Sequence, residues 1–316
     1  MNRITDINSI DFPVRLDSVF IRNSKKRKYK EAIGFKAVTG KTDGREKIFS
    51  LVTDNYSLIT NKQALELGRK IFREYFSKES EINLSVFNVT FPETRSFCNI
   101  DLMNNLYSFN VWEKEVYIPF MRITNSYNRT KALKFEIGFS RKWCDNGVIF
   151  EKETVSLNYI HYKKPVSEIM KDFKPGEKID KLRILEEKFT QLMIKLREEK
   201  IDRKYFVPLT AKIFELKFKI ESDNRKLRER EIKRMNEFVN YCEKLGNKYS
   251  YLLGNSAYAV FNVATELANN RDFVKSHRYN DYQTKAGKWL KAFVNRKENN
   301  SLEEYLKDYK YLINFN

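Results

Sequence analysis

The period of the hydrophobic pattern changes once along this chain, and that change limits what the chain can fold into. Before Lys163-Lys164-Pro165, apolar residues alternate with polar ones, as they do in strands with one buried face. After the Lys174-Pro175-Gly176 break they recur at intervals of three and four, the spacing of amphipathic helices. Strands collected in one half and helices in the other give an α+β protein, because a doubly wound fold needs the two to interleave. The pattern predicts an N-terminal twisted antiparallel sheet with a packed helix over residues 1–163. An all-helical region over 164–316, containing a long helical hairpin, should follow. A chain of 316 residues is long enough for these to be two cores.

Local signals place the elements. KEAIGFKAV and KIFSLVTDNYSLIT, joined by GKTDGRE, read as a hairpin, and Asn61 to Phe76 then shifts to helical spacing. Strand character returns in INLSVFNVTF, NLYSFNVWE, VYIPFMRIT and ALKFEIGFS, and Asp145-Asn146-Gly147 marks a tight turn. Beyond the break, Leu182 to Leu196 and Ile232 to Leu252 step by three and four and are expected to pair as the antiparallel hairpin. Shorter helices are predicted at 255–269, 284–296 and 301–313, the last opened by a Ser301…Glu304 capping box.

Composition narrows the class of partner. Lys and Arg number 60 against 42 Asp and Glu, a formal charge of +18, which favours nucleic acid or an acidic protein surface. A lysine-rich composition by itself explains the same excess. The start, MNRITDINSI, lacks the apolar core of a secretory signal, and no stretch approaches the ~18 apolar residues of a membrane span, so a cytoplasmic protein with no membrane partner is expected. Cys98, Cys144 and Cys242 are scattered, which fits reduced thiols better than a disulfide framework.

The stretch VYIPFMRITNSYNRTKALKFEIGFSRKWCDNGVIF, residues 116–150, resembles the central motif of the phage- and plasmid-borne family known as domain of unknown function 932. Asn125, Ser126 and Tyr127 match its Asn-Ser-Tyr/His run, and Arg141, Cys144, Asn146 and Gly147 match its Arg-x-x-Cys-x-Asn-Gly turn. Asn128 and Arg129 stand where the family has Asp and Gly, which removes the carboxylate at that point. Weaker echoes are VTDNYSLITNKQALEL, and AYAVFNVATELANN with its Asn-Ala-x-Thr-Glu-like helix. The resemblance implies a mobile genetic element as the setting and transfers no activity. The motif residues have two readings: Asn-Gly turns and inward Tyr or Cys side chains fix hairpins, and polar groups gathered at strand ends bind a phosphate, base or partner.

Chemistry-bearing patterns are few. Gly34 to Thr42 falls one residue wide of a phosphate-binding loop and lies between strands, so it is rejected. His161 and His277 are the only histidines, which leaves almost no ligands for zinc; neither metal nor cofactor is expected. The basic runs are the stronger signal: Arg22-Asn-Ser-Lys25-Lys26-Arg27-Lys28-Tyr29-Lys30 and Arg225-Lys226-Leu-Arg228-Glu-Arg230. Exposed aromatics beside such lysines favour single-stranded nucleic acid, on which bases stack. The expected function is that of a non-enzymatic accessory protein binding nucleic acid, with Lys25, Lys26, Arg27, Lys28, Asn125, Ser126, Tyr127, Arg129, Arg141, Asn146, Arg225 and Arg228 as the binding residues. The alternative is a counter-defence protein that oligomerises through its helical region and coats a host immune complex, such as a Gabija-type nuclease system. A minor third reading is an enzyme built around Tyr127, Arg141 and Cys144.

Overall fold

The computed structural model describes residues 7–23, 28–78, 80, 82–142, 147–149, 176–220, 225–270, 273–274, 278–296 and 301–313. The fold is α+β. Strands β1 (Val14–Asn23), β2 (Lys28–Thr42) and β3 (Arg45–Thr53) form one antiparallel sheet in that order. A second sheet runs in the order β4 (Leu84–Thr90), β5 (Phe97–Asn104), β7 (Glu115–Ser126), β8 (Lys134–Arg141) and β9 (Gly147–Ile149), with β6 (Phe109–Trp112) also pairing β7. Helix α1 (Asn61–Arg73) interrupts the strands, and α2 (Gly176–Glu198), α3 (Phe206–Ile213), α4 (Arg225–Leu253), α5 (Ala257–Ala268), α6 (Tyr279–Asn295) and α7 (Leu302–Tyr305) follow.

Two compact units divide the chain. The first contains Met1–Ser108, Ile118–Gly138 and Thr154–Arg183, the second Phe109–Tyr117, Phe139–Glu153 and Ile184–Asn316. The sequence boundary at 163/164 therefore differs from the compact division, which gives β6, β9 and the ends of β7 and β8 to the helical unit. Aromatic packing explains this: Phe189 of α2 lies 4.8 Å from the rings of both Tyr117 and Phe139, and Phe109 lies 5.1 Å from Phe139.

In the first unit the β2–β3 hairpin turns on Asp43 and Gly44, both at positive φ (51° and 76°), the conformation that a tight two-residue hairpin turn requires. The inner face of that sheet buries Val38 and Val52 against Tyr56 and Tyr127, with Phe12 and Phe49 completing the cluster. Helix α1 starts on Thr60, whose hydroxyl accepts from the Gln63 backbone while the Gln63 side chain accepts from the Thr60 backbone. Gly68 lets α1 lie against Ile123 and Phe135 of the sheet, because a methyl group there would strike Ile123.

In the second unit α4 packs chiefly on α5 and α3, and α6 closes on β9, where Gly287 meets the Ile149 carbonyl. The expected long helices are both present, but the hairpin pairing between them gives way to these partners, because α3 lies between them in the chain and packs on α4. Helix α5 is buried almost all round, as its apolar sequence dictates. Three elements go beyond the expectation: β1, β5 and α3. The Asp145-Asn146 part of the tight turn, the stretch that follows Gly147-Val-Ile and both histidines lie outside the described residues. Among the described residues no helix is long and apolar enough to cross a membrane.

Candidate nucleic-acid interface

Several strongly exposed apolar side chains of the first unit lie on a ribbon made by β1 and β2. Strand β3 pairs with β2 only from Phe35 to Thr42, so residues 28–31 of β2 pair with β1 alone, and the register shifts over the residues that follow. Register assigns the side chains to faces, since cross-strand partners share one. Phe20 pairs with Glu31 and Arg22 with Tyr29 on one face; Ile21 pairs with Lys30 on the other, which Lys28 shares. Phe20 is 59% exposed, Ile21 63%, Tyr29 70% and Ile33 87%. A two-stranded ribbon that leaves such side chains in water gains little from their burial, and large exposed apolar groups mark interaction surfaces.

The charge on the ribbon is cationic. Lys28 and Lys30 flank Tyr29 along the strand and face the other way, and Arg22 sits opposite Tyr29; none of the three cations makes an ion pair among the described residues. Nearer the body Lys36 is held by Glu31 at 3.6 Å and donates to the Ser18 hydroxyl at 3.1 Å. Lys25, Lys26 and Arg27, which complete the basic run, lie outside the described residues.

The motif residues of the second sheet are placed very differently. Asn125, Ser126 and Tyr127 are buried. Tyr127 accepts from the backbone N–H of Asn61 at 2.9 Å, and Asn125 donates to Asn61 Oδ1 at 2.9 Å and to the Ile59 carbonyl at 3.0 Å. Together they clamp the start of α1 onto β7. The Tyr127 carbonyl accepts from Ser50 at 2.7 Å, while burial pushes its phenol well above the ordinary tyrosine range. Ser126 donates to Asn128 Oδ1 at 2.9 Å, and that same oxygen accepts from the Thr130 N–H at 3.2 Å, closing a turn with Arg129 at φ 61°. The hairpin-fixing reading suits these three, whose hydrogen bonds run inside the unit, with Asn125 Oδ1 left buried and without a partner among the described residues. Arg129 projects from the turn into solvent.

Arg141 lies in the second unit and is largely buried. Its Nε and Nη2 grip Glu115, the latter at 2.8 Å, and Nη1 donates to Asn262 Oδ1 at 3.4 Å. The Arg of the motif and the Asn of the family-like helix thus meet, beside a Tyr117–Tyr258 hydroxyl pair at 3.0 Å. Asn146 and Cys144 lie outside the described residues. Arg225 and Arg228 are exposed on the first turn of α4, which has no acidic residue there. Arg225 pairs with Glu229 at 2.8 Å.

The expected residues that are described therefore separate into an exposed cationic set and a buried set. Phe20 and Ile21 were not among them; the alternation in Val14-Arg-Leu-Asp-Ser-Val was a usable strand signal. No group of three or more His, Cys, Asp or Glu among the described residues is placed to hold a metal ion. Compared with protein families, curated proteins and solved structures, the chain shows no significant match to any of them, so the family resemblance rests on the motif residues alone.

Proposed function

We propose that this protein is a non-enzymatic, nucleic-acid-binding accessory of a mobile genetic element, and that it holds single-stranded DNA along the β1–β2 ribbon. One observation carries the reading: Tyr29 stands 70% exposed on the same face as its cross-strand partner Arg22, on a ribbon whose opposite face carries Lys28 and Lys30. Phosphate attraction to cations is indifferent to sequence and supplies most of the affinity, while an open ring offers a stacking platform to any base. Phe20 is the diagonal neighbour of Tyr29 on the same face, at the ~7–8 Å separation that antiparallel pairing sets. That is roughly twice the ~3.4 Å rise of stacked bases, so the face has room for one base between two rings. Arg129, exposed in the same unit, is a further cationic point for the phosphate chain, and Arg225 and Arg228 on the first turn of α4 are a separate cationic patch of the second unit. The resemblance to a phage and plasmid family supports the setting.

The test is fluorescence anisotropy of the full chain with a fluorescein-labelled oligo-dT and with a duplex of equal length. The single strand is expected to bind more tightly. Tyr29→Ala is expected to cost ~1–3 kcal/mol, the worth of one stacked base, with the circular dichroism spectrum unchanged because the side chain is exposed. No binding of either DNA at low salt overturns the proposal.

A further inference from the structure

The second unit contains a cleft of about 580 Å³ between α4 and the start of α6. This lies within the range of small-molecule sites, roughly 300–1,000 Å³. We propose that this cleft binds a nucleotide moiety, the phosphate held by arginines and the base against an aromatic wall.

Sequence spacing builds the first wall. Arg230, Arg234, Glu237 and Tyr241 follow one another at four, three and four residues, which sets them along one stripe of α4. The adjacent stripe, Met235, Phe238, Val239 and Cys242, is buried in the core and anchors the helix. Arg278, which precedes α6, and Tyr282, one turn inside it, form the facing wall.

The rings make a continuous surface. Phe273 lies 6.3 Å from Tyr241 and 6.1 Å from Tyr282, and Tyr282 packs edge-on to Phe214 at 4.7 Å. A wall this wide with tilted rings suits a flat heterocycle better than an aliphatic chain. Charge then selects an anion. Arg234 is tied to Glu231 at 3.0 Å and lies 5.1 Å over the Phe218 ring, which neutralises that carboxylate and fixes the guanidinium. Arg230 and Arg278 are exposed and carry no ion pair among the described residues. Two planar forks facing one cleft match the bidentate geometry of a phosphate. Glu237, the remaining carboxylate, is an acceptor for the amino edge of a base.

The same chemistry comes from a free nucleotide or from the phosphorylated end of a strand. Isothermal titration calorimetry on the full chain, with dAMP, inorganic phosphate, deoxyadenosine and a short oligonucleotide with and without a 5′-phosphate, separates the sources. Saturable binding of dAMP is expected, with deoxyadenosine and inorganic phosphate each at least tenfold weaker. Arg278→Ala and Arg230→Ala should each weaken dAMP about tenfold or more, as the loss of a charge-assisted hydrogen bond does, and Arg278→Lys only in part. dAMP bound as tightly as the 5′-phosphorylated oligonucleotide identifies a free-nucleotide site. Arg278-dependent preference for the phosphorylated oligonucleotide identifies a strand-end site. The proposal is overturned if dAMP does not saturate at millimolar concentration, if both alanine variants bind it unchanged, or if inorganic phosphate alone binds equally well. Tyr29→Ala on the ribbon is expected to leave dAMP binding unchanged, so the two sites fail or stand separately.

Discussion

Replacing Asp101 by Asn should loosen the first unit by an amount that the structure lets one calculate. Asp101 and Arg122 face each other across β5 and β7 with side chains 2% and 1% exposed. The guanidinium donates from Nε at 2.5 Å and from Nη2 at 2.6 Å, and Asn88 donates to the same carboxylate at 3.0 Å. Removing one partner of such a buried pair costs about 3–5 kcal/mol, against a total domain stability of about 5–15 kcal/mol. Cys98 reports the loss, since it lies on the same strand and is 1% exposed, and burial pushes its thiol up to about 12. At neutral pH its alkylation therefore needs the strand to open. At about 1.4 kcal/mol per factor of ten, Asp101→Asn should speed iodoacetamide labelling of Cys98 by roughly two to four powers of ten, read by mass spectrometry. The double replacement Asp101→Leu with Arg122→Met removes both charges and should restore protection, because apolar substitutes for a buried pair are often neutral or better. Unchanged labelling in Asp101→Asn, or equal loss of protection in the double variant, would refute this reasoning.

Two further outcomes follow from the packing and the buried phenols. Gly287→Ala places a methyl group on the Ile149 carbonyl and should cost about 1–3 kcal/mol, seen as a lower urea midpoint by tryptophan fluorescence. Burial pushes the Tyr56 and Tyr309 phenols up to about 12, against about 10 in an unfolded chain. The unfolded state then loses these protons first, so their contribution is complete below pH ~10 and is lost as pH rises towards 12. Urea midpoints recorded from pH 8 to 12 should fall in that window, with replacement of either Tyr by Phe flattening the fall.

The parts legible in the sequence are those fixed by neighbours in the chain. Asp43-Gly44, the Thr60…Gln63 cap and the spacings in α2 and α4 each state their structure within a few residues. Strand β5 hides because Asn99, Asp101 and Asn104 sit inside, satisfied by Thr90 and Thr124, by Arg122, and by the Asn83 backbone that no local pattern reveals. Helix α3 is short, buried at every position but Lys212 and carries Pro208 in its first turn, so periodicity gives it little face. Strand β1 is obscured where Phe20 and Ile21 break the alternation beside a register shift. The same division holds for the sites. Tyr29 among lysines can be read directly, whereas its ring partner Phe20 depends on a cross-strand register, and the Arg230–Tyr241 stripe looks like an ordinary charged helix face until α6 stands opposite it.

Salt dependence probes the ribbon most directly. Each phosphate neutralised on a single strand contributes about 0.7 to the slope of log K against log salt, so exchanging Arg22, Lys28 and Lys30 together for Ala should lower the slope for oligo-dT by about 2. Weaker binding with that shallower slope is the predicted result. An affinity and slope identical to those of the unaltered chain would mean that the strand, if bound at all, lies elsewhere.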